Sequence, residues 1–185
     1  HLFSRRILRR LEAETKPVTI CIIKPDILSS NKEEELIEKI KEKGYTVVET
    51  KTMTFTEKMV HEFYAHHQDS EKFDDLVKYM TSGPSMICAL SRDEEDVIEK
   101  WRADLGPTDL EEAKQNPESF RAQYATDSML NALHGSDSSE SAARELAYFF
   151  PKGLGAKDAN KGVQHTIALI RPTALAMFKD DMLDK

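Results

Sequence analysis

Residues 131–150 read NALHGSDSSESAARELAYFF. His134 stands before Gly135 in a run of small polar residues, ahead of a helix-forming stretch that ends in aromatics. A histidine in such a run is usually solvated, but its neighbours here add chemistry. Gly135 lets a backbone or a phosphate come close. Ser136 and Ser138 can donate hydrogen bonds, and Ser138 or Ser139 can cap the helix that follows. Glu145 on that helix can return to the imidazole and fix its tautomer and orientation. A carboxylate-oriented imidazole is a competent nucleophile.

The elements that must position this histidine are readable from hydrophobic patterning. "VTICIIKP" is an apolar, β-branched run bounded by proline and reads as a buried strand. "EEELIEKIKEKG" sets Leu36, Ile37 and Ile40 on one helical face, with Gly44 as the stop. "YTVVETKTMTF" alternates as a second strand. "TEKMVHEFYAHH" and "EKFDDLVKYMTSG" read as two short helices, with Thr56 capping the first and Gly83 ending the second. "SMICALS" is a third strand, and "RDEEDVIEKWRADLG" an amphipathic helix with Val97, Ile98, Trp101 and Leu105 inward. This order is that of a split β-α-β unit. The expected fold is α+β, a ferredoxin-like βαββαβ sandwich with a four-stranded antiparallel sheet covered by helices. Residues 106–128 read as a long irregular stretch, hence a candidate functional loop.

The whole chain of 185 residues is long enough for one domain with extra sequence. Its formal charge of −7 and scattered basic residues argue against nucleic acid as a partner. Cys21 and Cys88 each lie in a short apolar run and read as buried strand thiols in a reducing, cytoplasmic setting. No apolar run is of membrane-spanning length, so no membrane partner is expected. The opening "HLFSRRILRRLEAE" reads as a basic amphipathic helix, the tail of an upstream domain or a packing helix. "YAHH" invites a metal reading, yet no cysteine or carboxylate pattern completes one, so His61, His66 and His67 are read as solvated and no metal-ligating residue is assigned. Asp26 and Asp137 read as turn and loop stabilisers.

One internal echo is visible: "TICIIKPDIL" from Thr19 and "TIALIRPTAL" from Thr166 share residues at matching positions. The organisation expected is a helical tail over 1–16, a domain over 17–151, a linker over 152–164 and the start of a second copy over 165–185.

The segment around His134 resembles the active-site signature of the nucleoside diphosphate kinases: Asn, two residues, His-Gly-Ser-Asp-Ser, Glu-Ser-Ala, then a second glutamate before aromatics. The resemblance runs from Val18 to Phe150 through "IIKPD", "FY", "LVKYMTSGP", "WRADLGPT", "FRAQY" and "NALHGSDS". It implies transfer of the terminal phosphate of a nucleoside triphosphate to a nucleoside diphosphate through a phosphohistidine. Mg²⁺ would be bound through the nucleotide phosphates. By the same resemblance His134 would be the nucleophile, held by Glu145 and Ser136, and Lys24 would reach the transferred phosphate. Arg102, Thr108 and Arg121 would hold the remaining phosphates, Tyr64 would lie beside the nucleophile, and Asn131 would contact the sugar. Singly, Lys24, Arg102 and Arg121 are surface charges by default; their joint placement argues otherwise.

Three departures from the family pattern are visible. Lys72 stands where the family usually places the aromatic on which the base stacks. Ile27, Asn31 and Glu34 stand where small residues, chiefly glycine, are common, which bears on subunit assembly. The loop before Arg121 is slightly longer, and "RAQ" replaces Arg-Gly-Asp. With Arg171 and Thr173 in the second copy, these features resemble the multidomain, thioredoxin domain-containing nucleoside diphosphate kinases of cilia and flagella. That resemblance implies an axonemal, cytoskeletal location beside a microtubule doublet or a dynein arm. It leaves a second possibility, a kinase-like structural module of weak activity.

Overall fold

The computed structural model describes residues 17–93 and 96–155. The expected tail helix and the second copy lie outside the described residues. In chain order the elements are β1 (Val18–Ile23), α1 (Pro25–Ser29), α2 (Glu33–Glu42), β2 (Thr46–Thr54), α3 (Glu57–Phe63) and α4 (Phe73–Thr81). They continue as β3 (Pro84–Ser91), α5 (Val97–Leu105), α6 (Leu110–Ala113), α7 (Phe120–Tyr124), β4 (Leu133–Gly135) and α8 (Ser139–Phe149). The four-stranded sheet runs β2-β3-β1-β4, and every neighbouring pair is antiparallel. This is the expected α+β sandwich.

β1 is central and covered on both sides, which is why its apolar run is continuous rather than alternating. Ile20 and Ile22 enter one cluster with Val60, Met80, Ile87 and Phe149. Cys21 and Ile23 enter the other with Leu36, Ile40, Trp101, Leu105 and Leu133. Cys21 faces Cys88 across the β1–β3 ladder, and both are free, buried thiols. Each large side chain in these clusters contributes about 1.5–3 kcal/mol of burial.

Local signals place the helices. The Thr56 hydroxyl accepts from Met59 N at α3, and the Ser138 hydroxyl accepts from Ser141 N at α8. Gly44 follows α2 with φ +89°, a left-handed stop that favours glycine.

Three elements differ from the sequence reading. The stretch 106–128 is irregular only in part: two short helices interrupt it, α6 capped by the Asp109 side chain and α7 by that of Ser119. The short helix α1 fills part of "DILSSNKEEEL", and Asn31 after it has φ +53°. Asparagine is among the few non-glycine residues that visit this region, so the departure at Asn31 keeps a left-handed backbone. Finally, His134 lies not in a loop but on β4, opposite Ile22 of β1.

Candidate active site

The chain enters β4 through a tight bend. Ala132 is fully buried with φ +64°, and Leu133 N donates to Asn131 O at 2.7 Å. Lys24 N donates to Ala132 O at 2.9 Å, tying the bend to the end of β1. A left-handed alanine is strained by roughly 1–3 kcal/mol and persists because the surroundings over-determine it.

Gly135 is needed for a different reason than the sequence suggested. A Cβ there would sit 2.6 Å from Leu105 Cδ1 and 2.7 Å from the Trp101 indole. The close approach is therefore that of α5 beneath β4. Gly135→Ala is expected to cost about 1–3 kcal/mol by overpacking. A urea melt at unchanged m-value checks this; an unshifted midpoint would refute it.

His134 Nε2 lies 3.2 Å from Glu145 Oε2. Ser136 Oγ donates to the same Oε2 at 2.7 Å and accepts from Ile20 N at 3.2 Å. Glu145 is buried, so its carboxylate is fixed by partners rather than by water. Ser136 thus holds the glutamate, and the glutamate holds the ring. A proton on Nε2 shared with Glu145 leaves the lone pair on Nδ1, which makes no hydrogen bond among the described residues. Phe63 and Tyr64 stand edge-on to the imidazole, with ring centroids at 5.3 and 6.0 Å.

His134 lines a cavity of about 500 Å³ together with Lys24, Tyr64, Arg102, Thr108, Arg121 and Asn131. Lys24 is buried, its Nζ donates to Asn131 Oδ1 at 2.6 Å, and it lies 5.5 Å from the Tyr79 ring centroid. Burial, and then the nearby Arg121 charge, lowers the Lys24 pKa to about 7. Burial and then Arg102 lower that of Arg121 to about 10. The Arg121 guanidinium donates to Gly106 O at 2.7 Å and to Leu133 O at 3.2 Å. Burial raises the Tyr64 phenol, with Glu145 adding to the rise. Crowded cations at the cost of desolvation are a site prepared for an anion.

The family described as "Nucleoside diphosphate kinase" matches residues 18–154. This chain belongs to the nucleoside diphosphate kinase family. It is 44% identical over 176 residues to "Thioredoxin domain-containing protein 6" of Xenopus laevis, a match covering 91% of this chain and 28% of that protein. The chain thus spans under a third of that relative's length. An Aquifex aeolicus nucleoside diphosphate kinase superposes with TM-score 0.68 at 36% identity, covering 74% of this chain and 96% of that one. The enzyme from Halobacterium salinarum, solved in complex with CDP, gives 0.70 at 31% identity, covering 79% and 95%.

Of the residues carried over from the nucleoside diphosphate kinases, His134, Lys24, Tyr64, Arg102, Thr108, Arg121 and Asn131 all line the one cavity. Glu145 and Ser136 lie behind the histidine. Of the outer wall, sequence reasoning singled out Lys72 alone. His66 and His67 are exposed, as read, and also line the cavity with Ser70, Lys72, Leu76 and Met129. Burial, then His66, His134 and Lys24, lowers the His67 pKa. The repeated histidines of "YAHH" were the available signal, hidden because helix α3 ends at Phe63 and a single 3-10 turn over Ala65–His67 carries them to the cavity, where both stay exposed. Asp137 also lines the cavity; Ser141, outweighing its burial, holds its carboxyl below the usual range. Asp26 serves the fold by accepting from the Tyr79 hydroxyl.

Proposed function

We propose that this domain transfers the terminal phosphoryl group of a nucleoside triphosphate to a nucleoside diphosphate through His134. The observation that carries the reading is an imidazole with Nε2 on a buried glutamate and Nδ1 free, set in a cation-lined cavity.

In the first half-reaction the Nδ1 lone pair forms the N–P bond as the bridging P–O bond breaks, and the electron pair leaves with the nucleoside diphosphate. In the second half-reaction the terminal oxygen of another diphosphate takes the phosphoryl group, and the histidine is regenerated. Glu145 stabilises the positive charge that develops on the ring. Lys24 and Arg121 meet the charge spreading over the phosphoryl oxygens, Arg102 and Thr108 hold the outer phosphates, and Asn131 reaches the sugar while orienting Lys24. Tyr64 Oη and Arg121 Nε are buried without a hydrogen-bond partner, and a phosphate oxygen would supply the acceptor each lacks.

Among the described residues no group of three or more His, Cys, Asp or Glu could hold a metal ion. Such a donor set fits Mg²⁺ carried by the nucleotide phosphates and waters, not a protein cage. When bound, Mg²⁺ neutralises phosphate charge.

The wider setting we propose rests on the internal echo and on the resemblance to the thioredoxin domain-containing kinases of cilia and flagella: a kinase domain over 17–151, a tail before it, a linker over 152–164 and a second copy from 165, within a cytoskeletal protein of the cilium or flagellum. Its protein neighbours would be a microtubule doublet or a dynein arm. Among the described residues no helix is long and apolar enough to cross a membrane. A second reading, a kinase-like structural module of that assembly, is favoured by Lys72 in the cavity's outer wall.

Initial rates with ATP and GDP separate the two. Parallel double-reciprocal lines are expected for a ping-pong kinase. Intersecting lines would argue for a ternary complex, and no turnover for the structural module.

A further inference from the structure

The mechanism leaves the outer wall of the cavity unused. Its inner end carries the cations that suit phosphates. The rest of the lining, with Ser70, Lys72, Leu76, Ser128 and Met129, is therefore where a nucleoside would lie. The phenyl and phenol faces of this wall are closed, and the open rings on it are the imidazoles of His66 and His67. Phe73 and Tyr64 are each only 5% exposed. Phe73 packs edge-on to His61 at 5.0 Å, and Tyr64 to Phe63 at 4.8 Å. Stacking, which holds any base alike, is thus left to two small imidazole rings, and the polar groups of the wall gain weight.

Lys72 is the cation among them. It sits at the N-terminal end of α4, where its N–H donates to Ser70 Oγ, and its exposed ammonium makes no ion pair among the described residues. A lysine ammonium carries three donors and no acceptor. It is complementary to the paired acceptors of guanine (O6 and N7) and to uracil O4, whereas on the same edge adenine sets an N6 amino group beside N7 and cytosine presents its N4 amino group.

We propose that Lys72 makes this site select nucleotides with keto bases, guanine and uracil, over those with amino bases. The inference rests on the cavity being the nucleotide site argued above. Selectivity would come from a single charged side chain at the mouth, with the phosphate end indifferent to the base.

Calorimetric titration of the full 185-residue chain with GDP, UDP, ADP and CDP, each with Mg²⁺, tests it. GDP and UDP are expected to bind about five- to tenfold more tightly than ADP and CDP, in line with a single exposed contact. Lys72→Met should equalise the four. Lys72→Glu should likewise remove the preference, because a carboxylate offers no donor to O6 or O4. Equal affinities in the parent chain, or a preference that survives Lys72→Met, would overturn the proposal. Because the readout is equilibrium binding, selective binding without phosphohistidine would overturn only the kinase reading. Phosphohistidine with equal binding of the four bases would overturn only this one.

Discussion

His134→Ala is expected to lower phosphoryl transfer by at least about 10⁴-fold, the scale on which removing a nucleophile collapses a concerted set of catalytic groups. Nucleotide affinity should stay close to that of the parent chain. The side chain removed makes one polar contact, to Glu145, and Glu145 keeps the Ser136 hydroxyl at 2.7 Å. The buried carboxylate is therefore not orphaned, and the cations that hold phosphates are untouched. Steady-state assay beside calorimetric binding gives both numbers. Equal loss of binding and turnover would mean that the histidine builds the pocket rather than reacts in it.

Lys24→Met is the second large effect, about 10²- to 10³-fold in turnover, the cost of removing a preorganised donor to transition-state charge. The ammonium is buried beside Arg121 and held by Asn131. Burial makes it expensive as a charge, and its pKa, lowered to about 7, brings the loss of that charge close to neutrality. The sign of the pH dependence follows. Between about 7 and the ordinary lysine value of 10.5, the unfolded chain binds this proton and the folded chain does not. This group's contribution to stability therefore rises with pH across that window and is least favourable below it. Phosphate binding needs the proton, so nucleotide affinity should fall as pH rises above about 7. Thermal melts and titrations of the parent and Lys24→Met chains check both slopes. The variant should flatten each, and identical profiles would refute the assignment.

Most of the frame was legible because burial writes a period. β1 shows as a continuous apolar run, since helices cover both faces of the central strand. The Thr56 and Ser138 caps were legible because a hydroxyl before a helix has a single common use. β4 was not legible. Three residues with a histidine and a glycine carry no alternation, and the strand exists only through its pairing with β1. The bend at Ala132 was hidden too, because alanine does not signal a positive φ. Gly135 was rightly read as a point of close approach, but what approaches is Trp101 and Leu105, which no local pattern reveals. The inner site and Lys72 were carried by motif spacing, whereas His66 and His67 reach the cavity only through the turn between α3 and α4.

Trapping the phosphoenzyme tests the central claim most directly. The chain is incubated with Mg²⁺ and γ-labelled ATP, then chased with GDP, beside His134→Ala. Acid-labile label on the parent chain, absent from the variant and released by GDP as labelled GTP, is the expected result. A chain that binds nucleotide yet never takes up label, or a His134→Ala variant that labels equally, would contradict it.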